Sequence, residues 1–136
     1  MTTQTNTSEY MLLFRGTTCN KGLSPEETQK VLNRFMGWFE TLKTQGKLKA
    51  GQPLMPEGKI VSGANGRTVV DGPFAESKEA IGGYFLLSVA DFDEAVAIAR
   101  QCPTLEFGLS VEVRAIAEEC PTMRANREAL AELAQA

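Results

Sequence analysis

Apolar and polar positions alternate along the chain in blocks that predict distinct elements. Met11 to Phe14 are four consecutive apolar residues, which predicts a strand over Glu9–Arg15 covered on both faces. Ser24-Pro25-Glu26-Glu27 reads as a helix start. Ser24 caps, Pro25 suits the first helical position, and Glu27 completes a capping box. Val31, Leu32, Phe35, Trp38, Phe39 and Leu42 then recur at three- and four-residue spacing, so one broad apolar face runs to about Gln45, before Gly46. On that stripe Trp38 reads as core. Lys47–Met55 reads as extended, and Pro53 and Pro56 confine it to an irregular or edge strand. Lys59–Ser62 and Arg67–Asp71 flank Gly63-Ala64-Asn65-Gly66, whose Asn-Gly pair predicts a tight hairpin. Gly83–Val89 is a strongly apolar strand. Asp91 and Glu94 open a second helix that runs to Cys102 and stops at Pro103. Leu109–Ile116 alternates as a strand, with Leu109, Val111, Val113 and Ala115 on one face and Ser110, Glu112, Arg114 and Ile116 on the other. Pro121 ends that region, and Met123–Gln135 predicts a C-terminal helix.

The order is strand, helix, strand with a hairpin insertion, strand, helix, strand, helix. Two halves of this kind make a split βαβ, ferredoxin-like α+β fold, with both central helices on one face of an antiparallel sheet. The other face carries mixed apolar and polar groups. A monomer would leave it wet, so two sheets are expected to meet face to face in a homodimer, a dimeric α+β barrel.

The composition suits a single domain with a real core: 136 residues, 43% hydrophobic and 23% charged. No apolar run is long enough for a membrane span, and the polar start carries no secretory pattern. Histidine is absent, which removes every mechanism that needs an imidazole, including Ser-His-Asp triads and His-ligated metals. Cys19, Cys102 and Cys120 are odd in number with no CxxC spacing, so reduced thiols in a cytoplasmic protein are expected rather than disulfides or a zinc site. No cofactor is implied. Residues 1–68 carry nine Lys/Arg against five Asp/Glu, and residues 69–136 five against twelve, for a net −3. That balance argues against direct nucleic-acid binding, and the asymmetry could help register a dimer.

The densest motif is Asp71-Gly72-Pro73-Phe74-Ala75-Glu76-Ser77-Lys78-Glu79, followed by Gly82-Gly83-Tyr84. Asp71 ends a strand and can bond the backbone ahead of it, Gly72 supplies unusual dihedrals, and Pro73 forbids further ladder bonding. A stiff turn feeding a central strand explains the motif as well as a site does. With Tyr10-Met11-Leu12-Leu13, Leu23-Ser24-Pro25-Glu26-Glu27, Asp91 to Ala95, Cys102-Pro103 and Ser110-Val111-Glu112-Val113-Arg114, this ordered set resembles the DGPF-domain proteins of the YCII-related superfamily. The resemblance covers residues 9–117 and leaves 118–136 as a helical extension. It implies a ferredoxin-like fold that dimerises as an α+β barrel, a cleft between sheet and helices, and association with extracytoplasmic-function sigma factors. Some relatives are lyase-type enzymes with a His–Asp pair in that cleft. This chain has no histidine, and it is apolar at Phe35 and Met36, where some relatives place one, so the resemblance carries the fold further than the catalysis.

Candidate site residues are Asp71, as a catalytic base held against the fold by its turn, and Arg15, Gln52, Phe74, Tyr84 and Arg114 as ligand contacts. Glu112 and Arg114, two apart on one strand face, read first as an ion pair or dimer contact. Two functional classes follow. One is a small-molecule-binding or regulatory accessory dimer. The other is a cofactor-free lyase or isomerase acting on a small aromatic or carbonyl compound, with Asp71 as base and Arg114 holding an anion. A dimer without ligand chemistry is the bland third.

Overall fold

A computed structural model of the chain describes residues 7–16, 22–72 and 80–134. The elements follow the sequence pattern closely. Strand β1 (Ser8–Arg15) leads to helix α1 (Pro25–Thr44), edge strand β2 (Leu48–Pro53), hairpin β3 (Lys59–Ser62) and β4 (Thr68–Asp71), strand β5 (Ile81–Val89), helix α2 (Phe92–Ala99), strand β6 (Ser110–Ala115) and helix α3 (Pro121–Ala134).

The four-stranded sheet has the order β2-β5-β1-β6, and every neighbouring pair is antiparallel. The strands of the two βαβ halves therefore interleave, as the split βαβ pattern requires, and the β3–β4 hairpin forms a sheet of its own. This is the ferredoxin-like α+β arrangement with an added C-terminal helix.

Local chemistry explains the helix starts. Ser24 Oγ accepts from the Glu27 N–H at 3.1 Å, and the Glu27 carboxylate accepts from the Ser24 N–H at 3.3 Å. Asp91 caps α2 by accepting from the Glu94 N–H at 2.8 Å. Three boundaries differ from the sequence reading. Helix α2 stops at Ala99, because Cys102, which precedes Pro103, is extended; a short 3-10 turn over Pro103–Phe107 follows. Pro121 does not end a region but opens α3, where its missing N–H costs nothing. The hairpin loop is wider than a two-residue turn. It contains a 3-10 turn over Ala64–Gly66, with Asn65 in the left-handed region at φ 59°.

The core lies between the sheet and the two central helices. Tyr10, Leu12, Phe85, Leu87 and Val89 face Trp38 and Leu42 of α1 and Ala95, Ile98 and Ala99 of α2. Leu12 and Leu87 are fully buried, each worth about 1.5–3 kcal/mol relative to exposure. The apolar run of β1 predicts cover on both faces, and among the described residues the chain supplies it on one. Met11 and Leu13, which alternate with Tyr10 and Leu12, stay half-exposed on the other face. Helix α3 buries none of its side chains, so it does not supply that cover.

Candidate functional site

The open face of the sheet is set by strand register. Gln52 pairs with Tyr84, Tyr84 with Leu13, and Leu13 with Glu112, so these four form one row across all four strands. Neighbouring strands are about 4.8 Å apart, which spreads the row over roughly 14 Å. The next row is Ala50, Leu86, Met11 and Arg114. Both rows alternate with the buried residues Leu12, Phe85 and Leu87 and therefore point away from the helices. The centre of the face is apolar (Met11, Leu13, Leu86 and the Tyr84 ring) and its margin is polar.

Glu112 is the electrostatic hub of that margin. Its Oε1 accepts from Arg15 Nη1 at 3.2 Å and its Oε2 from Arg114 Nη1 at 3.2 Å. Arg15 lies on β1 and Arg114 on β6, two residues beyond Glu112, so one carboxylate ties two guanidinium groups across a strand boundary. Glu112 is 31% exposed and Arg114 69%, which leaves the Arg114 head available to an incoming group. At another corner of the sheet Lys49 bonds Glu9 at 2.8 Å. The expected Glu112–Arg114 ion pair is present. What sequence reasoning left open is which apolar residues stand beside it, Met11, Leu13 and Leu86, because that depends on which residues of different strands stand opposite one another.

Of the sequence-predicted site residues, Arg15, Gln52, Tyr84 and Arg114 thus lie on one face. Asp71 does not join them. It ends β4 in the separate hairpin, where its carboxylate is 75% exposed and ion-paired with Lys59. The expectation that its turn holds it against the fold is therefore corrected. A hairpin whose four strand positions on each side are all exposed offers no body for it to press on. Phe74, with Glu76 and Lys78, lies outside the described residues. The strap from Leu54 to Gly58, with Gly72, Ala80 and Ile81, borders a small open cleft of ≈ 160 Å³, below the few hundred Å³ usual for a ligand pocket. Among the described residues Glu57 is its sole charged lining residue.

The carboxylates with depressed pKa sit elsewhere. Glu94 is lowered first by the Ala90 N–H and then by Lys47, and Glu106 by its paired Arg34. The Cys120 thiol is also lowered, by the Met123 and Thr122 N–H groups at the start of α3. Among the described residues no three His, Cys, Asp or Glu side chains converge as a metal site would need, and no helix is long and apolar enough to cross a membrane.

Close packing beside the open-face row depends on two glycines. A Cβ on Gly83 would stand 2.9 Å from the Gln52 carbonyl oxygen, and one on Gly51 would stand 2.7 Å from the Phe85 ring. Gly83 thereby lets β2 close on β5, which sets Gln52 beside Tyr84.

Comparison with known proteins agrees with this architecture. The chain is 31% identical over 93 residues to an uncharacterized protein of Rhizobium meliloti (strain 1021), a match that spans 66% of this chain and 75% of that one. The YCII-related domain model matches residues 9–118, which take in the four-stranded sheet from Glu9 onward with α1 and α2 and leave out α3. With the interleaved sheet and its open face already described, that match makes the chain a member of the YCII-related domain family.

Proposed function

We propose that this protein is a small-molecule-binding, regulatory accessory protein that works as a homodimer, its two open sheet faces enclosing the Arg15–Glu112–Arg114 margin together with Tyr84 and Gln52. The observation that carries this reading is the placement of Arg15, Gln52, Tyr84 and Arg114 around one half-exposed apolar floor. Contiguous apolar surface rimmed by polar groups marks an interaction face. Meeting a second copy about a two-fold axis would cover the floor of both and leave the polar margins to hold a small ligand between them. Arg114 offers that ligand an anion-holding head, and Tyr84 and Gln52 offer neutral donors and acceptors.

The alternative, a cofactor-free lyase or isomerase, is the weaker reading. The carboxylate it uses as base, Asp71, stands exposed on the hairpin and is neutralised by Lys59. The carboxylate that does lie on the open face, Glu112, already has one oxygen engaged by Arg15 and the other by Arg114. As a regulatory accessory the dimer would act through an extracytoplasmic-function sigma factor, the partner that the family resemblance implies. Direct titration of the purified protein with such a sigma factor tests that part separately.

Native mass spectrometry of freshly purified full-length protein tests the reading itself. The expected result is a dimer mass with a retained small molecule that is lost in Arg114→Ala. A monomer at micromolar concentration would overturn it.

A further inference from the structure

The four-stranded sheet ends in two edge strands that are built differently. β2 is interrupted: its pairing with β5 shifts register between Leu48 and Ala50, and Pro53 has no N–H to offer. Irregularities and prolines of this kind keep an edge from taking up another strand. β6 has neither. It pairs with β1 without a register shift from Ser110 to Ala115, and β1 is its sole strand neighbour among the described residues. The Ile116 N–H donates to the Glu9 carbonyl oxygen at 2.9 Å, so by the alternation of an antiparallel ladder Ser110, Glu112 and Arg114 also turn their backbone groups toward β1. Val111, Val113 and Ala115 turn theirs outward, and among the described residues those groups have no backbone partner. Helix α3, which buries none of its side chains, does not cover them. The strand order Val111-Glu112-Val113-Arg114 sets one acid and one base on either side of a central valine.

We propose that β6 pairs with β6 of a second copy, antiparallel about a two-fold axis through Val113, and so joins two sheets edge to edge. The charge order along the strand selects both the partner and the register. With Val113 opposite its own copy, Glu112 stands opposite the partner's Arg114, and Arg114 opposite the partner's Glu112, a pair of opposite charges on each side of the axis. Moving the axis by one residue sets Glu112 against Glu112 or Arg114 against Arg114, and like charges directly opposite repel. In the favoured register Val111 meets the partner's Ala115, and the outward N–H and C=O groups of all three residues are bonded. The partner's Arg114 then joins the margin where Glu112 already binds Arg15 and Arg114, so each copy adds a guanidinium to the other's cluster. The strand is six residues long, so the contact is smaller than a standard interface and forms reversibly, above the micromolar range. It uses the edge of the sheet and not its open face, so it does not rest on the open-face dimer.

Amide exchange of the 15N-labelled full-length protein reads the pairing residue by residue. As the concentration rises from tens of micromolar to near-millimolar, the Val111, Val113 and Ala115 N–H groups should slow by about threefold or more, while those of Glu112 and Arg114, already bonded to β1, change little. Sedimentation over the same range should show a species of at least twice the mass found at micromolar concentration. Glu112→Arg and Arg114→Glu each set like charges across the axis, and each alone should abolish that species. An equimolar mixture of the two should restore it, because an edge with two arginines then faces an edge with two glutamates. Unchanged exchange at the three N–H groups of the unmodified protein, or a heavier species that both variants keep, would overturn the inference. The exchange reading needs no variant, so a substituted chain that fails to fold does not obscure the result. The mass at micromolar concentration tests the open-face dimer and the increase above it tests the edge, so either reading fails without the other.

Discussion

At the scale of single residues, the environment decides which side chains carry their ordinary chemistry. Glu94 accepts the Ala90 N–H at 2.8 Å and pairs with Lys47 at 3.1 Å, so its folded-state pKa lies below its unfolded value of about 4.3. A depressed carboxylate contributes stability that is fully present above the unfolded pKa and is lost as pH falls through the folded one. Glu94→Gln is therefore expected to cost about 1 kcal/mol at pH 7 and much less at pH 3, which urea unfolding at the two pH values would measure. Cys120 is exposed and its thiolate is stabilised by two helix N–H groups, whereas Cys102 is buried beside Thr104. Iodoacetamide at pH 7 should label Cys120 at least about tenfold faster than Cys102, as read by mass spectrometry of peptides. Asp71 is expected to behave as a surface residue. Asp71→Asn should shift stability by less than about 1 kcal/mol in thermal unfolding, and a larger loss would restore the turn-anchoring role that its sequence context suggests.

Among the elements, the edge strand β2 is the one whose placement hangs on a single atom. Gly83 has both the Gln52 carbonyl oxygen and the Pro53 Cα within 3.3 Å of where a Cβ would be, and these are backbone atoms that cannot swing aside. Gly83→Ala is expected to push β2 off β5 and to cost about 1–3 kcal/mol. Faster amide exchange confined to Leu48–Pro53 and its β5 partners would show it, and uniform exchange would refute it. Much of the element plan is legible beforehand, because its signals are local. The Ser24–Glu27 capping box, the Asp91 cap and the proline that ends β2 act within a few residues of themselves. Where the plan errs, at the end of α2 and the start of α3, a proline admits two local readings, stop or first turn, and packing chooses between them.

For the whole molecule, the half-exposed floor of Met11, Leu13 and Leu86 is the feature that a second copy would cover. A charge placed there should break association without touching the core, which lies on the other side of β1. Leu13→Asp is expected to turn a dimer into a monomer by light scattering while the far-ultraviolet circular dichroism stays that of the parent. A dimer that persists in Leu13→Asp would place the contact elsewhere. The exposed apolar positions of α3, Met123, Leu130 and Leu133, would then be the surface to test next.

What the sequence determined by itself was the order of elements, the split βαβ plan and the absence of imidazole chemistry, since caps, turns, periodicity and composition are all written in short stretches of chain. Tertiary structure alone decided which candidates meet. Arg15 and Glu112 stand 97 positions apart and are joined by the register of β1 with β6, while Asp71, inside the most conspicuous motif, is carried away on its own hairpin. The buried Trp38 donor belongs to the same class. Its helical spacing marks it as core, but only the packing shows that, among the described residues, none gives its indole Nε1–H an acceptor. Register and packing are long-range, and a side chain's neighbours across a sheet follow from the sum of every pairing between them rather than from any residue nearby.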